Sequence, residues 1–100
     1  MNEVKARQAI EDVLARFDFK PVHEYMQRVG WMYFDSVSTP SIETLKEAAR
    51  TVLQAVIESK DSKHGAASTG GFTGRLDQWK RGGRFYLDLQ FIPFHTEVYF

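Results

Sequence analysis

Three glycines occur within the nine residues STGGFTGRL (68–76), a density typical of loops that bind phosphate through backbone amides. A nucleotide-binding loop of the Walker type also needs a lysine for the outer phosphates, a hydroxyl for magnesium and a following helix. Gly65 and Gly70 have the spacing of its first two glycines. However, Gly71 and Phe72 occupy the positions of the lysine and the hydroxyl. The glycine pattern of dinucleotide-binding turns is absent as well. We therefore interpret Gly70 and Gly71 as a bulge or tight bend.

The three histidines, His23, His64 and His95, could serve as metal ligands or as catalytic bases. Metal-binding histidines usually lie three or four residues apart or beside other ligands, whereas the nearest two here are 31 positions apart. A site would require them to converge in three dimensions, with Asp18 or Asp35 as a further ligand. We therefore assign no metal ligand and expect no cofactor.

Hydroxyl side chains raise the question of nucleophilic catalysis. Ser68 and Thr69 lie near His64 in the sequence, and His95 is a second candidate base. A hydroxyl without a positioned base is inert, and no strand-turn-helix pattern around either residue resembles a nucleophile elbow. We assign no catalytic residue. A small enzyme of unknown reaction, with a site built from the histidines, is the third hypothesis.

The distribution of charge is more informative than the total. Thirteen basic and thirteen acidic residues cancel, but residues 60–84 contain six basic and two acidic residues, a net +4. Cations interleaved with aromatic rings suit binding to an acidic protein surface. They also suit binding to the phosphate backbone and stacked bases of a nucleic acid. A third interpretation is that these charges only keep the hairpin soluble. The candidate binding residues in this segment are Lys63, His64, Arg75, Trp79, Lys80, Arg81 and Arg84.

Composition limits the class of protein. One hundred residues with 43% hydrophobic side chains predict one folded domain, spanning residues 1–100. The absence of cysteine excludes disulfides and thiolate chemistry and fits a reducing compartment. We see no signal peptide and no apolar run long enough to cross a bilayer, so we expect a cytoplasmic protein without a membrane partner.

Three segments have helical periodicity. Apolar residues of 3–17 share one helical face, and Pro21 is expected to end that helix. A shorter helix is predicted over 22–29, stopped by Gly30. Residues 31–34, WMYF, predict a short buried strand or an aromatic plug.

The third helix has the clearest signal. In STPSIETLKEAARTVLQAVIES (38–59), Thr39 is a candidate N-cap, Pro40 suits the first helical position, and Glu43 complements the helix dipole. Its apolar stripe contains Ile42, Leu45, Ala49, Val52, Leu53 and Val56, and its exposed face predicts the ion pairs Glu43–Lys46 and Glu47–Arg50.

The period changes to two after a polar segment, 60–68, which we interpret as a mobile loop. A hairpin is predicted over 71–79 and 84–92, closed by the turn KRGG with Trp79 opposite Arg84 as a cation–π pair. This register places Gly74 opposite Leu89, where a missing side chain makes room for Leu89 or for an element packed on the sheet. It also places Arg75 opposite Asp88 as an ion pair on the other face.

The order of elements predicts an α+β fold, with two or three helices packed on a small antiparallel sheet whose central hairpin is 71–79/84–92. Residues 94–100, FHTEVYF, alternate again and predict a third strand at the edge. An aromatic edge strand can pair with a second copy of the chain, so a homodimer through this strand is one expected assembly.

The sequence order GWMYF, TPSIETLKEAARTVLQAVIES, STGGF and an alternating strand resembles a group of small uncharacterised proteins encoded by bacteriophages and prophages. The resemblance covers about residues 17–91 and is based on short motifs. It implies a bacterial or phage setting, in which small accessory proteins bind host proteins or nucleic acid. It brings no catalytic residues and no cofactor.

These observations favour a non-enzymatic interaction protein of phage or prophage type. Its contact surface would be the basic hairpin tip together with the loop 60–68. A host or phage protein is the favoured partner, and a nucleic-acid-binding module that uses the same residues is the alternative.

Overall fold

The computed structural model describes residues 3–29, 40–58, 65–69, 71–78 and 84–100. Within these ranges the chain forms three helices, α1 (Glu3–Arg16), α2 (Phe19–Val29) and α3 (Ile42–Glu58). Four strands follow them: β1 (Gly65–Thr69), β2 (Phe72–Gln78), β3 (Phe85–Phe91) and β4 (Phe94–Tyr99). The α+β fold expected from the order of elements is confirmed. None of the described helices is both long enough and apolar enough to cross a membrane.

The four strands form one antiparallel sheet in the order β1-β2-β3-β4. Gly74 pairs with Leu89 and Leu76 pairs with Leu87, so the predicted register of the central hairpin is confirmed. The predicted third strand at 94–100 is confirmed as the edge strand β4. Trp79 lies outside the described residues, as does the KRGG turn.

Strand β1 was not expected, because residues 65–68 fall in the segment predicted as a mobile loop. Residues 65–69 instead pair along their whole length with β2, from Gly65 opposite Leu76 to Thr69 opposite Phe72. The sequence GAAST has no apolar alternation, so the strand depends on backbone pairing and on contact with α3 rather than on side-chain pattern. Residues 60–64 lie outside the described residues.

The adjacent glycines 70 and 71 connect these two strands. Thr69 and Phe72 pair with each other, so only two residues link them. Gly71 has a φ of 88°, the left-handed region that type I′ and type II turns both require at their second central position. The tight bend predicted from the two glycines is confirmed.

Gly74 lies where α3 crosses the sheet. A Cβ atom at this position would lie 2.7 Å from Cγ1 of Val52 and 3.3 Å from Cδ2 of Leu53 and Cγ2 of Val56. The missing side chain therefore lets α3 approach the backbone of β2, which confirms the prediction that Gly74 makes room for an element packed on the sheet.

The boundary between the first two helices differs from the prediction. Helix α1 ends at Arg16, and Pro21 lies inside the first turn of α2 instead of ending α1. The Asp18 carboxylate accepts a hydrogen bond from the backbone N–H of Lys20 at 3.1 Å, as an N-cap does. Proline is tolerated at the start of a helix because the first backbone N–H groups have no carbonyl partner there.

Helix α3 begins two residues later than predicted. Ser41 is its N-cap, because the Ser41 hydroxyl accepts a hydrogen bond from the N–H of Thr44 at 3.1 Å. Pro40 therefore precedes the helix, and Thr39 lies outside the described residues, together with residues 30–38. The predicted apolar stripe is buried at Leu45, Ala49, Val52, Leu53 and Val56, while Ile42 is exposed.

The three helices cover one face of the sheet, and the core lies between the two layers. Phe72 lies at its centre, with ring centroids 6.0 Å from Phe17, 5.9 Å from Phe19 and 5.2 Å from Phe91. At the surface, Arg50 of α3 forms an ion pair with Glu47, as predicted, and a second one with Glu11 of α1 at 3.2 Å.

Candidate functional site

The structure describes two of the seven candidate binding residues. Arg75 lies in β2 with 53% of its side chain exposed, and Arg84 is exposed immediately before β3. The other five lie outside the described residues: Lys63, His64, Trp79, Lys80 and Arg81. Arg75 and Arg84 therefore mark the described part of the predicted contact surface.

Residues on β2, β3 and β4 that point away from the helices form what we call the outer face. No described helix packs on this face. Strand pairing arranges its side chains in three rows: Asp77, Tyr86 and Tyr99; then Arg75, Asp88 and Glu97; then Thr73, Gln90 and His95. The first row lies next to the hairpin tip, and the third lies at the opposite end of the sheet.

The predicted ion pair between Arg75 and Asp88 is wrong, although the register is right. Asp88 is opposite Arg75, but the Arg75 guanidinium lies 3.9 Å from the carboxylate of Asp77, two residues along the same strand. Asp88 is only 4% exposed, whereas 53% of the Arg75 side chain is exposed, so the two side chains differ in their degree of burial. A cross-strand pair needs both side chains to reach the same depth.

Among the residues that the structure describes, Asp88 is the one polar or charged residue that is buried. Its Oδ2 accepts a hydrogen bond from Nε2 of Gln90 at 3.0 Å. Its Oδ1 is buried and has no hydrogen-bond partner. Nδ1 of His95 lies 4.0 Å from this oxygen, and Glu97 is directly opposite on β4. The carboxyl is therefore half satisfied, in contact with an imidazole and a second carboxylate.

Burial raises the pKa of the Asp88 carboxyl, and the negative charge of Glu97 raises it further. The hydrogen bond from Gln90 lowers this pKa by less than burial raises it but by more than Glu97 does, and the charges of His95 and Arg75 lower it by smaller amounts. The ionised form of Asp88 therefore lacks sufficient stabilisation within the chain itself. A positive charge at Oδ1 would supply it.

Of the two histidines that the structure describes, only His95 belongs to a group of possible metal ligands. His95 lies with Asp88 and Glu97, and one ligand atom from each of these three lies within 4.8 Å of the others. His23 lies on α2 and belongs to no such group among the described residues, and His64 lies outside them. The alternation of residues 94–100 contains the signal for this cluster. Pairing β3 with β4 across Ile92–Pro93, as was done for β2 and β3, places Asp88 opposite Glu97.

Four aromatic rings lie at the tip end of the sheet, and we call them the aromatic end: Phe85, Tyr86, Tyr99 and Phe100. Phe85 and Phe100 stack with centroids 5.9 Å apart, and their backbones exchange two hydrogen bonds. Tyr86 and Tyr99 form a second ring pair at 5.7 Å on the outer face. Tyr99 is 41% exposed, and the other three rings are partly buried.

Tyr86 is also fixed by hydrogen bonding. Its hydroxyl donates to Oδ2 of Asp77 at 3.4 Å. Burial raises the pKa of this phenol, and the charge of Asp77 raises it further, so the Tyr86 hydroxyl stays protonated and acts as a donor at neutral pH. This contact holds one ring of the aromatic end in place.

The described surface therefore contains two chemically distinct sites: the Asp88–His95–Glu97 cluster in the middle of the outer face, and the aromatic end beside Arg84. The first suits a cation, because two carboxylates and an imidazole converge on it. The second suits a macromolecular surface, because partly exposed rings lie beside an arginine. No protein-family model, curated protein or solved structure matches the chain, so the functional conclusion depends on these residues alone.

Proposed function

We propose that the chain is a non-enzymatic interaction protein of phage or prophage type, which binds a host or phage protein through the aromatic end and the adjoining hairpin tip. The observation that supports this proposal is the Tyr86–Tyr99 ring pair on the outer face, at the end of the sheet where the exposed Arg84 precedes β3. The second pair, Phe85–Phe100, packs against the core and supports the first from the other side of the sheet. Rings packed in pairs at the end of a sheet offer a rigid apolar surface whose side-chain entropy is already reduced.

Charge indicates the chemistry of the partner. Lys80 and Arg81 lie in the sequence between β2 and β3, within four residues of Arg84. Arginine, tyrosine and phenylalanine are enriched among residues that anchor protein interfaces, and a basic rim speeds encounter with an acidic surface. The partner we propose therefore presents an acidic patch around an apolar contact.

A nucleic-acid-binding module is the second candidate, because the Tyr86–Tyr99 ring pair could stack with bases. The charges of the outer face argue against it. Asp77, Asp88 and Glu97 lie in the rows beside these rings, and their carboxylates would repel phosphates. They would repel an acidic protein surface as well, but a protein can place its acidic groups at the tip and its apolar groups on the rings, whereas a nucleic acid carries a phosphate at every nucleotide. We therefore favour a protein partner.

A homodimer through β4 would be compatible with either partner. Strand β4 is an edge of the sheet, and Phe94 and Tyr99 expose apolar surface along it. His95 and Glu97 also lie on this strand, and charged groups on edge strands oppose pairing with a second chain. Light scattering during size-exclusion chromatography, over a range of protein concentrations, distinguishes monomer from dimer.

The protein-partner proposal is tested by affinity capture from a bacterial lysate with three forms of the full chain. These are the wild type, the tip variant Lys80→Glu/Arg81→Glu, and the control Arg7→Glu/Lys20→Glu, which makes the same change of charge on exposed helix positions. We expect a captured protein that the control retains and the tip variant loses, and whose purified form binds the wild-type chain with salt-sensitive association. Identical captured proteins for all three forms would refute the proposed surface.

The nucleic-acid alternative is tested by titrating a fluorescent single strand and a duplex at two salt concentrations. Phosphate contacts release counterions, so binding through the tip would weaken with salt, and the tip variant would show a smaller salt dependence. The protein-partner proposal predicts no such binding. Salt-sensitive binding that the tip variant loses would replace our proposal with the alternative.

A further inference from the structure

We propose that Asp88, His95 and Glu97 bind a divalent transition-metal ion of the zinc type on the outer face of the sheet. This site is independent of the partner-binding function proposed above. It assigns a role to the most unusual polar group of the described chain and to the two side chains that converge on it.

The first argument is the state of the Asp88 carboxyl. Asp88 is 4% exposed, and its Oδ1 has no hydrogen-bond partner, although buried polar atoms almost always have one. Leaving such an acceptor unpaired destabilises the folded chain. A metal ion at Oδ1 would satisfy it. The oxygen is also on the side of the carboxyl nearest to Nδ1 of His95, at 4.0 Å.

The second argument is the geometry of the three ligands. Strand pairing places Asp88 opposite Glu97, and two carboxylates facing each other across a strand pair repel unless a cation or a proton lies between them. The three ligand atoms lie within 4.8 Å of one another. Ligand atoms around a tetrahedral zinc ion are roughly 3.4 Å apart, given bonds of about 2.1 Å. His95 and Glu97 are exposed, so both can rotate through the remaining distance.

The third argument is that Asp88 is already oriented. The Gln90 amide donates to Oδ2 of Asp88 at 3.0 Å, which leaves Oδ1 to face the cluster. A hydrogen bond to the far oxygen of a ligating carboxylate is the usual support for a metal ligand. Gln90 and His95 are themselves paired across β3 and β4, so one residue pair positions both sides of the site.

The ligand set determines the class of ion. An imidazole nitrogen with two carboxylate oxygens suits zinc and its first-row neighbours, whereas magnesium and calcium prefer sites composed of oxygen alone. Three protein ligands leave one tetrahedral position, and this position faces solvent because 60% of the His95 side chain is exposed. A water molecule would complete the coordination.

The test is a titration of chelator-treated full-length protein with Zn²⁺, followed by calorimetry and by the melting temperature. We expect one ion per chain and a higher melting temperature with Zn²⁺, with little response to an excess of Mg²⁺. His95→Gln and Glu97→Gln should each weaken Zn²⁺ binding about tenfold or more. His23→Gln and His64→Gln are the matched controls, and both should bind as the wild type does.

Asp88→Asn separates loss of Zn²⁺ binding from loss of folding. This variant removes a buried charge, so it should fold at least as well as the wild type. It should nevertheless lose the response to Zn²⁺. Binding of Co²⁺ gives an absorption spectrum that reports imidazole and oxygen ligands directly, and that spectrum should disappear in His95→Gln. The proposal is overturned by unchanged Zn²⁺ binding in Asp88→Asn or His95→Gln, by equal binding of Mg²⁺, or by a wild type that does not bind Zn²⁺.

Discussion

Replacing Gly74 by alanine tests how closely α3 packs on the sheet. The new Cβ atom would lie 2.7 Å from Cγ1 of Val52, and 3.3 Å from one methyl group each of Leu53 and Val56. Carbon atoms in contact prefer about 3.5–4.0 Å. The Val52 contact is therefore too short by about 1 Å, and the helix or the Val52 side chain must move.

The expected magnitude follows from two opposing effects. Adding a methyl group to a tightly packed core costs about 1–3 kcal/mol. Alanine in place of glycine within a strand recovers roughly 0.5–1 kcal/mol, because less backbone entropy is lost on folding. The φ of Gly74 lies outside the left-handed region, so alanine adds no backbone strain. We expect Gly74→Ala to lower the free energy of unfolding by about 1 kcal/mol, near the middle of the range of about 0–2.5 kcal/mol that the difference between these two effects spans.

The assay is urea unfolding followed by circular dichroism, with a double-mutant cycle. Val52→Ala removes the methyl group that the new Cβ atom meets. The double variant should therefore be more stable than the sum of the two single changes predicts, by about 1 kcal/mol. Val98→Ala on β4 is the control partner, since β3 separates it from β2, and its effect should add to that of Gly74→Ala.

Two results would refute this reasoning. A Gly74→Ala variant that is more stable than the wild type by about 0.5–1 kcal/mol, the entropy effect alone, would mean that the contact of 2.7 Å with Val52 does not exist. A coupling energy with Val52 no larger than the coupling with Val98 would mean that the loss has another origin.

Three further predictions concern the turn, the cap and the buried carboxyl. Gly71→Ala should destabilise the chain by about 1–2 kcal/mol, because a side chain is strained at a φ of 88°, and Gly71→Asn should cost less in the same urea unfolding assay. Ser41→Ala should lower the free energy of unfolding by about 0.5–2 kcal/mol, since the N–H of Thr44 loses its cap, and Ser41→Asp should restore most of it. The folded chain raises the pKa of Asp88 above its ordinary 3.8, so above that value the folded state binds more protons than the unfolded state. Without metal, the contribution of Asp88 to the free energy of unfolding should therefore grow as the pH falls from neutrality towards 3.8, so the wild type should gain stability relative to Asp88→Asn over this range. Equal pH dependence in the two proteins would contradict the assignment.

The central hairpin could be predicted from the sequence because several independent signals agree on one register. Alternating apolar residues, a glycine-containing turn and the Gly74–Leu89 pair all fit only that alignment. Strand β1 could not be predicted in the same way. Its residues, GAAST, have small side chains without alternation, and the backbone of β2 together with α3 makes a strand of them. That information lies in the tertiary structure and not in the segment.

The candidate metal site could not be predicted from the alternation of residues, because alternation gives the face of the sheet on which a side chain lies but not how deeply that side chain is buried. Alternation assigns Asp88 to the solvent side of β3, yet its neighbours on three strands bury it. The same limitation explains the wrong pairing of Arg75 with Asp88, since the register gives which residues are opposite but not how far each side chain extends. The convergence of His95 and Glu97 required the β3–β4 register, which the sequence does support.

The order of elements along the chain has a consequence for synthesis. The three helices leave the ribosome first, but the sheet that covers their apolar faces is built from residues 65–100. Isolated helices of 11 to 17 residues are marginal in water, so the N-terminal half has little independent stability. The nascent chain therefore exposes apolar surface until residues 65–100 have been translated, and a release before Gly65 would yield a fragment prone to proteolysis and aggregation.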